Sequence, residues 1–141
     1  MRKGMDQAAE SIRLLHVRRQ AVRSLQARIR MVEADAVSLR SSGSSVPVRG
    51  GGNRQEQRLV AMISRKEKLE QQERALQDMI LQTERALYKL PKDARRVLLW
   101  FYSQPRRTVQ QMQEELHMGR STVYRLRDKA LLAMAQMLGY L

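Results

Sequence analysis

Apolar residues recur every seven positions along the first forty residues of the chain. Ala8, Leu15, Val22, Ile29 and Ala36 form one series, and Leu25, Val32 and Leu39 stand three residues after its last members. That spacing places the side chains on one stripe of an α-helix, and the heptad repeat makes the stripe a coiled-coil seam. Residues 5–39 contain no proline and no glycine, so the pattern predicts one long amphipathic helix over 5–39. Arg18 and Arg19 fall where the second seam series would begin, which weakens the first heptads. An arginine there lays its methylenes along the helix and keeps its guanidinium in water.

The stretch RSSGSSVPVRGGGNR, residues 40–54, breaks this pattern. Serine and glycine favour turns, and Pro47 has no backbone donor, so 40–54 is predicted to be a flexible linker. Its glycine run does not form a P-loop, because the lysine and Ser/Thr ending is missing and no strand precedes it. A second helix is predicted over 55–90, with Leu59, Met62, Leu69, Leu76, Ile80, Leu87 and Leu90 on its stripe and SRKEKLEQQER alternating charge on the other face. Neither stripe is stable in water alone. The two helices therefore fold back as an antiparallel hairpin or pair between chains, and periodicity leaves both arrangements open.

Pro91 suits a helix start and not a helix interior. Val97, Leu98, Phe101 and Tyr102 predict a third helix over 92–103, with Leu99 and Trp100 widening its apolar coverage, and Pro105 ends it. Thr108 followed by Gln111 has the form of a capping box, which predicts a fourth helix over 109–116. After His117, Met118 and Gly119 a fifth helix is predicted over 120–137. Two short helices that share one small core need apolar residues at a particular set of places, and Met112, Leu116, Met118, Val123 and Leu126 occupy them. Two positions depart from the usual pattern: Gln113 stands where a small residue is common, and His117 stands where the turn commonly has glycine. The expected fold is all-α: a long helical coiled-coil arm or hairpin over residues 1–90, followed by a C-terminal helix-turn-helix domain over 91–141.

Charge then points to a partner. The 141 residues carry 27 Lys and Arg against 14 Asp and Glu, a formal net charge of +13. Both ends are basic: residues 1–40 hold nine cations against four anions and residues 91–141 nine against four, whereas 54–90 are nearly balanced, eight against six. Clustered cations favour a polyanion, because binding phosphates releases condensed counterions, and nucleic acid is the leading partner. No window has the roughly 18 apolar residues of a membrane span, and MRKGMDQAAESIR lacks a signal-peptide core, so no membrane partner and a cytoplasmic location are expected. With no cysteine, and with His16 and His117 far apart, no metal site or cofactor is expected. No nucleophile and base stand together, so no catalytic residue is assigned and the chain is not expected to be an enzyme.

The stretch TVQQMQEELHMGRSTVYRLRDKALLAM resembles the promoter-reading C-terminal region of bacterial sigma factors. With VPVRGGGNRQEQRLVAMI and LPKDARRVLLWFY, the layout of residues 40–138 resembles sigma-factor-like phage transcriptional regulators of the RinA/ArpU type, most specifically at GRSTVYRLRDKAL. The resemblance implies an all-α protein that binds double-stranded DNA upstream of phage late genes and activates them with the host's bacterial RNA polymerase. It also implies base or nearby backbone contacts at Arg120, Ser121 and Arg125. Where such relatives usually have an arginine before a tyrosine, this chain has Phe101, so the contact of that arginine is either missing or replaced by packing.

If Val123, Leu126 and Ala130 face the core, the helical period turns Arg120, Ser121, Thr122, Tyr124, Arg125, Asp128 and Lys129 toward the groove or its edges. Arg120 or Arg125 can hold guanine O6 and N7 in a two-pronged contact. Arg106, Arg107 and Thr108 sit at the positive end of the fourth helix, where a phosphate is favoured. Arg127 is expected to be solvated or to touch phosphate, Tyr124 to contact DNA or pack at the helix edge, His117 to be a turn residue and Trp100 to be core. The arginines of the first helix keep it soluble or add an accessory contact with DNA or polymerase. A homo-oligomer through the arm is expected on seam grounds. A phage DNA-packaging recognition subunit, with a helix-turn-helix and an assembly arm, is the alternative to a transcription activator.

Overall fold

The computed structural model describes the backbone of residues 1–43 and 51–141 and the side chains of residues 1–41 and 54–141. The described residues form five helices: α1 (Arg2–Gly43), α2 (Gly51–Lys89), α3 (Lys92–Tyr102), α4 (Val109–Leu116) and α5 (Arg120–Met137). The all-α expectation holds, with a long N-terminal helix as the arm. The two long helices run further than their apolar stripes. α1 starts at Arg2 and continues through Gly43, and α2 starts at Gly51, so the ends of the predicted 40–54 linker are helical. Once a helix is nucleated, each added residue gains a backbone hydrogen bond, so the helices extend into Ser and Gly positions of poor propensity. Pro47 and the rest of 44–50 lie outside the described residues.

The chain divides into two compact units, one of residues 20–77 and one of residues 1–19 with 78–141. In the first, α1 and α2 run antiparallel within one chain. Gln26 donates to Glu73 at 3.2 Å, Lys66 lies 3.2 Å from Glu33, and the Gln55 amide donates to the Leu39 carbonyl at 2.8 Å. Leu25, Ile29 and Val32 are buried against Leu69, with Met62 and Leu76 partly buried beside them. The seam is therefore satisfied inside the chain, as a hairpin.

The second unit contains two apolar clusters that meet at α3. Its larger core joins Ala8, Ile12 and Leu15 of α1, Ala86 and Leu87 of α2, Leu90 between α2 and α3, Ala94 and Leu98 of α3, and Ala130, Leu131, Met134 and Ala135 of α5. The smaller joins Val97 of α3, Met112 of α4 and Val123 of α5, with Trp100, Phe101, Val109, Leu116, Met118 and Leu126 partly buried around them. Consecutive residues Leu98 and Val97, both without solvent exposure, thus enter different cores. Leu126 packs against both. Arg19, unable to enter a core, pairs instead with Glu84 at 2.6 Å.

The end of α5 is fixed by a glycine and returns the chain to α1. Gly139 takes the left-handed conformation (φ +78°), its N–H donates to Gln136 O at 3.3 Å, and the Tyr140 N–H donates to Ala135 O at 2.8 Å. This pair of bonds is a Schellman stop, which satisfies helix-end carbonyls. The turn brings the Tyr140 hydroxyl within 2.9 Å of Ser11 Oγ and lays its backbone on Gly4. A Cβ at Gly4 would stand 2.8 Å from Tyr140 O and 2.6 Å from Leu141 Cδ2. The leucine tip can swing aside, but the carbonyl cannot move without opening the turn. Gly4→Ala is expected to lower stability by about 1 kcal/mol, the overpacking cost exceeding the helix-propensity gain. A lower thermal midpoint would agree; a higher one would show that the C-terminal turn does not rest on α1.

Candidate nucleic-acid interface

The segment α4–turn–α5 is built by its caps. Thr108 lies outside α4 in an extended conformation; its hydroxyl accepts the Gln111 N–H at 3.2 Å, and Gln111 Oε1 accepts the Thr108 N–H at 2.9 Å. The capping box thus uses the Thr108 oxygen as an acceptor, and the hydroxyl proton remains available to donate. At the other end of α4, His117 takes the left-handed conformation itself (φ 53°, ψ 47°) and donates its N–H to Gln113 O. A histidine there carries a Cβ penalty that glycine lacks. His117→Gly is expected to raise the unfolding free energy by about 0.5–1 kcal/mol, the relief of roughly 1–2 kcal/mol being partly offset by glycine's unfolded-state entropy. A shift of the urea midpoint to higher concentration checks this, and a shift to lower concentration would contradict it.

All five apolar positions expected of a helix-turn-helix, Met112, Leu116, Met118, Val123 and Leu126, lie in the smaller core. Their burial turns the polar arc of α5 outward. Arg120, Ser121, Thr122, Arg125, Asp128 and Lys129 are exposed and Tyr124 is half-buried. By the helical period Ser121, Arg125 and Asp128 occupy the middle of that arc, with Arg120 and Tyr124 at one edge and Thr122 and Lys129 at the other. Arg120 lies 5.8 Å from the Tyr124 ring centre. No carboxylate pairs with Arg120, Arg125 or Lys129 among the described residues, which leaves their charge uncompensated.

Arg127 differs from expectation. It is half-buried, with its guanidinium 5.1 Å from the Phe101 ring centre and 4.9 Å from that of Tyr124, and its Nε donates to Asp128 at 2.9 Å. It is a packing residue between α3 and α5 and not a solvated one, because the aromatic faces attract the weakly hydrated guanidinium. Phe101 and Tyr124 complete this cluster, their ring centres 6.0 Å apart. Of the two alternatives at Phe101, a missing contact or one replaced by packing, the cluster is packing. Burial pushes the Tyr102 phenol above its ordinary range, with Arg127 and Arg13 pulling it the other way. Arg13 lies over that ring at 5.0 Å.

At the start of α4, Arg106 and Arg107 are exposed. The Arg107 guanidinium lies 4.7 Å from the Trp100 ring centre, and the Arg107 backbone N–H donates to the Trp100 carbonyl at 3.2 Å. Arg96 lies over the same ring at 4.8 Å and also pairs with Glu115 at 2.9 Å and with Asp93 at 3.7 Å. Trp100 is thus half-buried in the smaller core and at the same time holds Arg107 beside the N-cap of α4. Periodicity marks Trp100 as core but does not show this second role, which depends on how the loop between α3 and α4 returns Arg107 to the ring.

Among the described residues, no helix is long and apolar enough to cross a membrane, and no group of three or more His, Cys, Asp or Glu is placed to hold a metal ion. A cleft of about 490 Å³ with both polar and apolar lining lies between the start of α1 and Tyr102, Arg127 and Asp128.

These features define an all-α protein with a helical hairpin arm and a compact unit that turns a cationic helix outward. Residues 39–135 match the family model described as "Protein of unknown function (DUF1492)", and the chain belongs to that family. No curated protein and no solved structure matches the chain.

Proposed function

We propose that this chain is a sequence-specific DNA-binding transcriptional regulator, in which α5 enters the major groove and the start of α4 holds the phosphate backbone. The observation that carries the reading is the division of α4 and α5 into a buried set (Met112, Leu116, Met118, Val123, Leu126) and an exposed set (Arg120, Ser121, Thr122, Arg125, Lys129). A helix whose apolar side is used by its own unit and whose other side carries uncompensated cations is suited to a groove about 12 Å wide lined by phosphates. Arg120 and Arg125 are the base readers, with Ser121 and Thr122 donating or accepting beside them. Tyr124 steadies Arg120, and Lys129, Arg106, Arg107 and Thr108 position the duplex.

The sigma-factor-like layout adds the direction of regulation: activation of phage late or packaging genes with bacterial RNA polymerase, in the host cytoplasm at the nucleoid. Self-association through the arm fits the exposed Met31, Val37, Val60 and Ile63, which the intramolecular seam does not cover. The same surface is what favours the second reading, a DNA-packaging recognition subunit that assembles into a ring.

Selection of bound sequences from a random duplex pool at physiological salt tests the proposal. An enriched motif supports base reading, and a palindromic one supports a symmetric dimer. Failure to enrich any motif would remove the regulator reading. Transcription from purified polymerase on the enriched site, set against particle mass by light scattering, separates activator from ring.

A further inference from the structure

The corner where α2 ends and α3 begins carries a charged surface that the α4–α5 reading does not use. Arg85, Tyr88 and Lys89 stand three and four residues apart in the last turns of α2, so they share a face. All three are exposed, Tyr88 to 73%. Tyr88 is joined to α3 by Arg95, whose guanidinium lies 5.0 Å from its ring centre, and exposed Lys92 lies between them in sequence. Only two carboxylates occur near this surface in sequence, and both are engaged elsewhere: Glu84 with Arg19 at 2.6 Å and Asp93 with Arg96 at 3.7 Å. Arg85, Lys89, Lys92 and Arg95 therefore have no carboxylate partner among the described residues.

We infer that Arg85, Tyr88, Lys89, Lys92 and Arg95 form a second contact surface for the phosphate backbone of duplex DNA, outside the segment read by α5; this rests on the DNA-binding reading above. The side chains match that partner. Arginine and lysine supply charge, and the tyrosine hydroxyl donates to a phosphate oxygen. Across residues 82–95, Tyr88 is the only large hydrophobic side chain exposed. A protein interface favours an apolar centre and membrane binding is strengthened by apolar insertion, whereas a sugar-phosphate backbone uses neither, which favours DNA here. The surface also continues toward the start of α4. Arg96, next to Arg95, lies over the Trp100 ring that carries Arg107, and Arg107 precedes the N-cap Thr108.

The test uses the full chain with Arg85→Gln, Lys89→Gln and Lys92→Gln combined, substitutions at exposed positions whose thermal midpoint is checked against the parent. Affinity for a random 25-base-pair duplex is measured between about 50 and 200 mM salt, beside a control in which Arg58, Arg65 and Lys68 of α2 become Gln. Loss of three phosphate contacts is expected to lower the slope of log K against log salt by about 2–3, and the control by much less. A slope equal to the parent's, or an equal fall in both variants, would overturn the inference while leaving α5 as reader. If the parent itself binds no duplex, the DNA-binding reading falls and this surface with it. Loss of binding to anionic vesicles with an unchanged duplex slope would assign the surface to lipid and overturn the inference as well.

Discussion

In a urea titration, Leu98→Ala is expected to lower the unfolding free energy by about 3 kcal/mol, within the range of roughly 2–5 for a fully buried leucine. Leu98 has no solvent exposure and packs in the core made by α1, α2, α3 and α5. Truncation removes its contacts within that core and leaves a cavity bounded by several rigid elements, so little collapse can recover the loss. The effect reaches the α4–α5 segment, because the neighbouring Val97 enters the smaller core that holds Met112 and Val123. Any tilt of α3 that fills the cavity at Leu98 pulls Val97 from its own site. A midpoint shift with unchanged m-value would agree. A change below about 1 kcal/mol would mean that α3 does not join the two cores, since even a single buried methylene is worth nearly that much.

The second large effect concerns specificity. Arg125→Ala is expected to reduce discrimination between target and random DNA by roughly 5- to 150-fold, the equivalent of about 1–3 kcal/mol for one two-pronged guanine contact. Arg125 lies in the middle of the exposed arc of α5, one turn from Ser121, and among the described residues neither an ion pair nor an aromatic ring holds it. Its removal costs the fold little, so the loss appears in binding. Arg107→Ala serves as the contrast. Arg107 is held on Trp100 at the start of α4, and its loss is expected to weaken target and random DNA alike and to lower the salt slope by about 1. Equal losses on both DNAs for Arg125→Ala would make it a positioner and not a reader.

Much of the architecture is visible in the residue pattern, for reasons that differ between elements. α4 and α5 begin and end where expected because local chemistry defines them: the Thr108–Gln111 box starts one, and the His117–Met118–Gly119 turn separates the two. The seam of α1 is legible because Val22, Leu25, Ile29 and Val32 repeat at heptad spacing, and all four are buried. Periodicity marks a face and not its partner. Nothing in the spacing of Ala8 and Ile12 shows that they pack with Leu131 and Met134, more than a hundred residues away, while the later heptads of α1 pack on α2.

The candidate site divides in the same way. Exposure of Arg120, Ser121, Thr122, Arg125 and Lys129 follows from the apolar positions between them. The place of Arg127 does not, because its setting depends on how closely Phe101 of α3 approaches α5. The Tyr88–Arg95 contact is hidden for a similar reason: the two residues belong to different helices on either side of Pro91. The turn at His117 shows the limit from the other side. Absence of glycine marks the position as unusual, and the backbone takes the left-handed conformation regardless, at an energetic cost that the packing of Leu116 and Met118 offsets.

Base reading by α5 is tested by the affinity of the full chain for the sequence enriched from a random pool, set against that for a scrambled duplex of equal length and composition at physiological salt. A preference of at least about 10³-fold for the enriched sequence is expected, as specific readers show. Equal affinity for the two duplexes would contradict it.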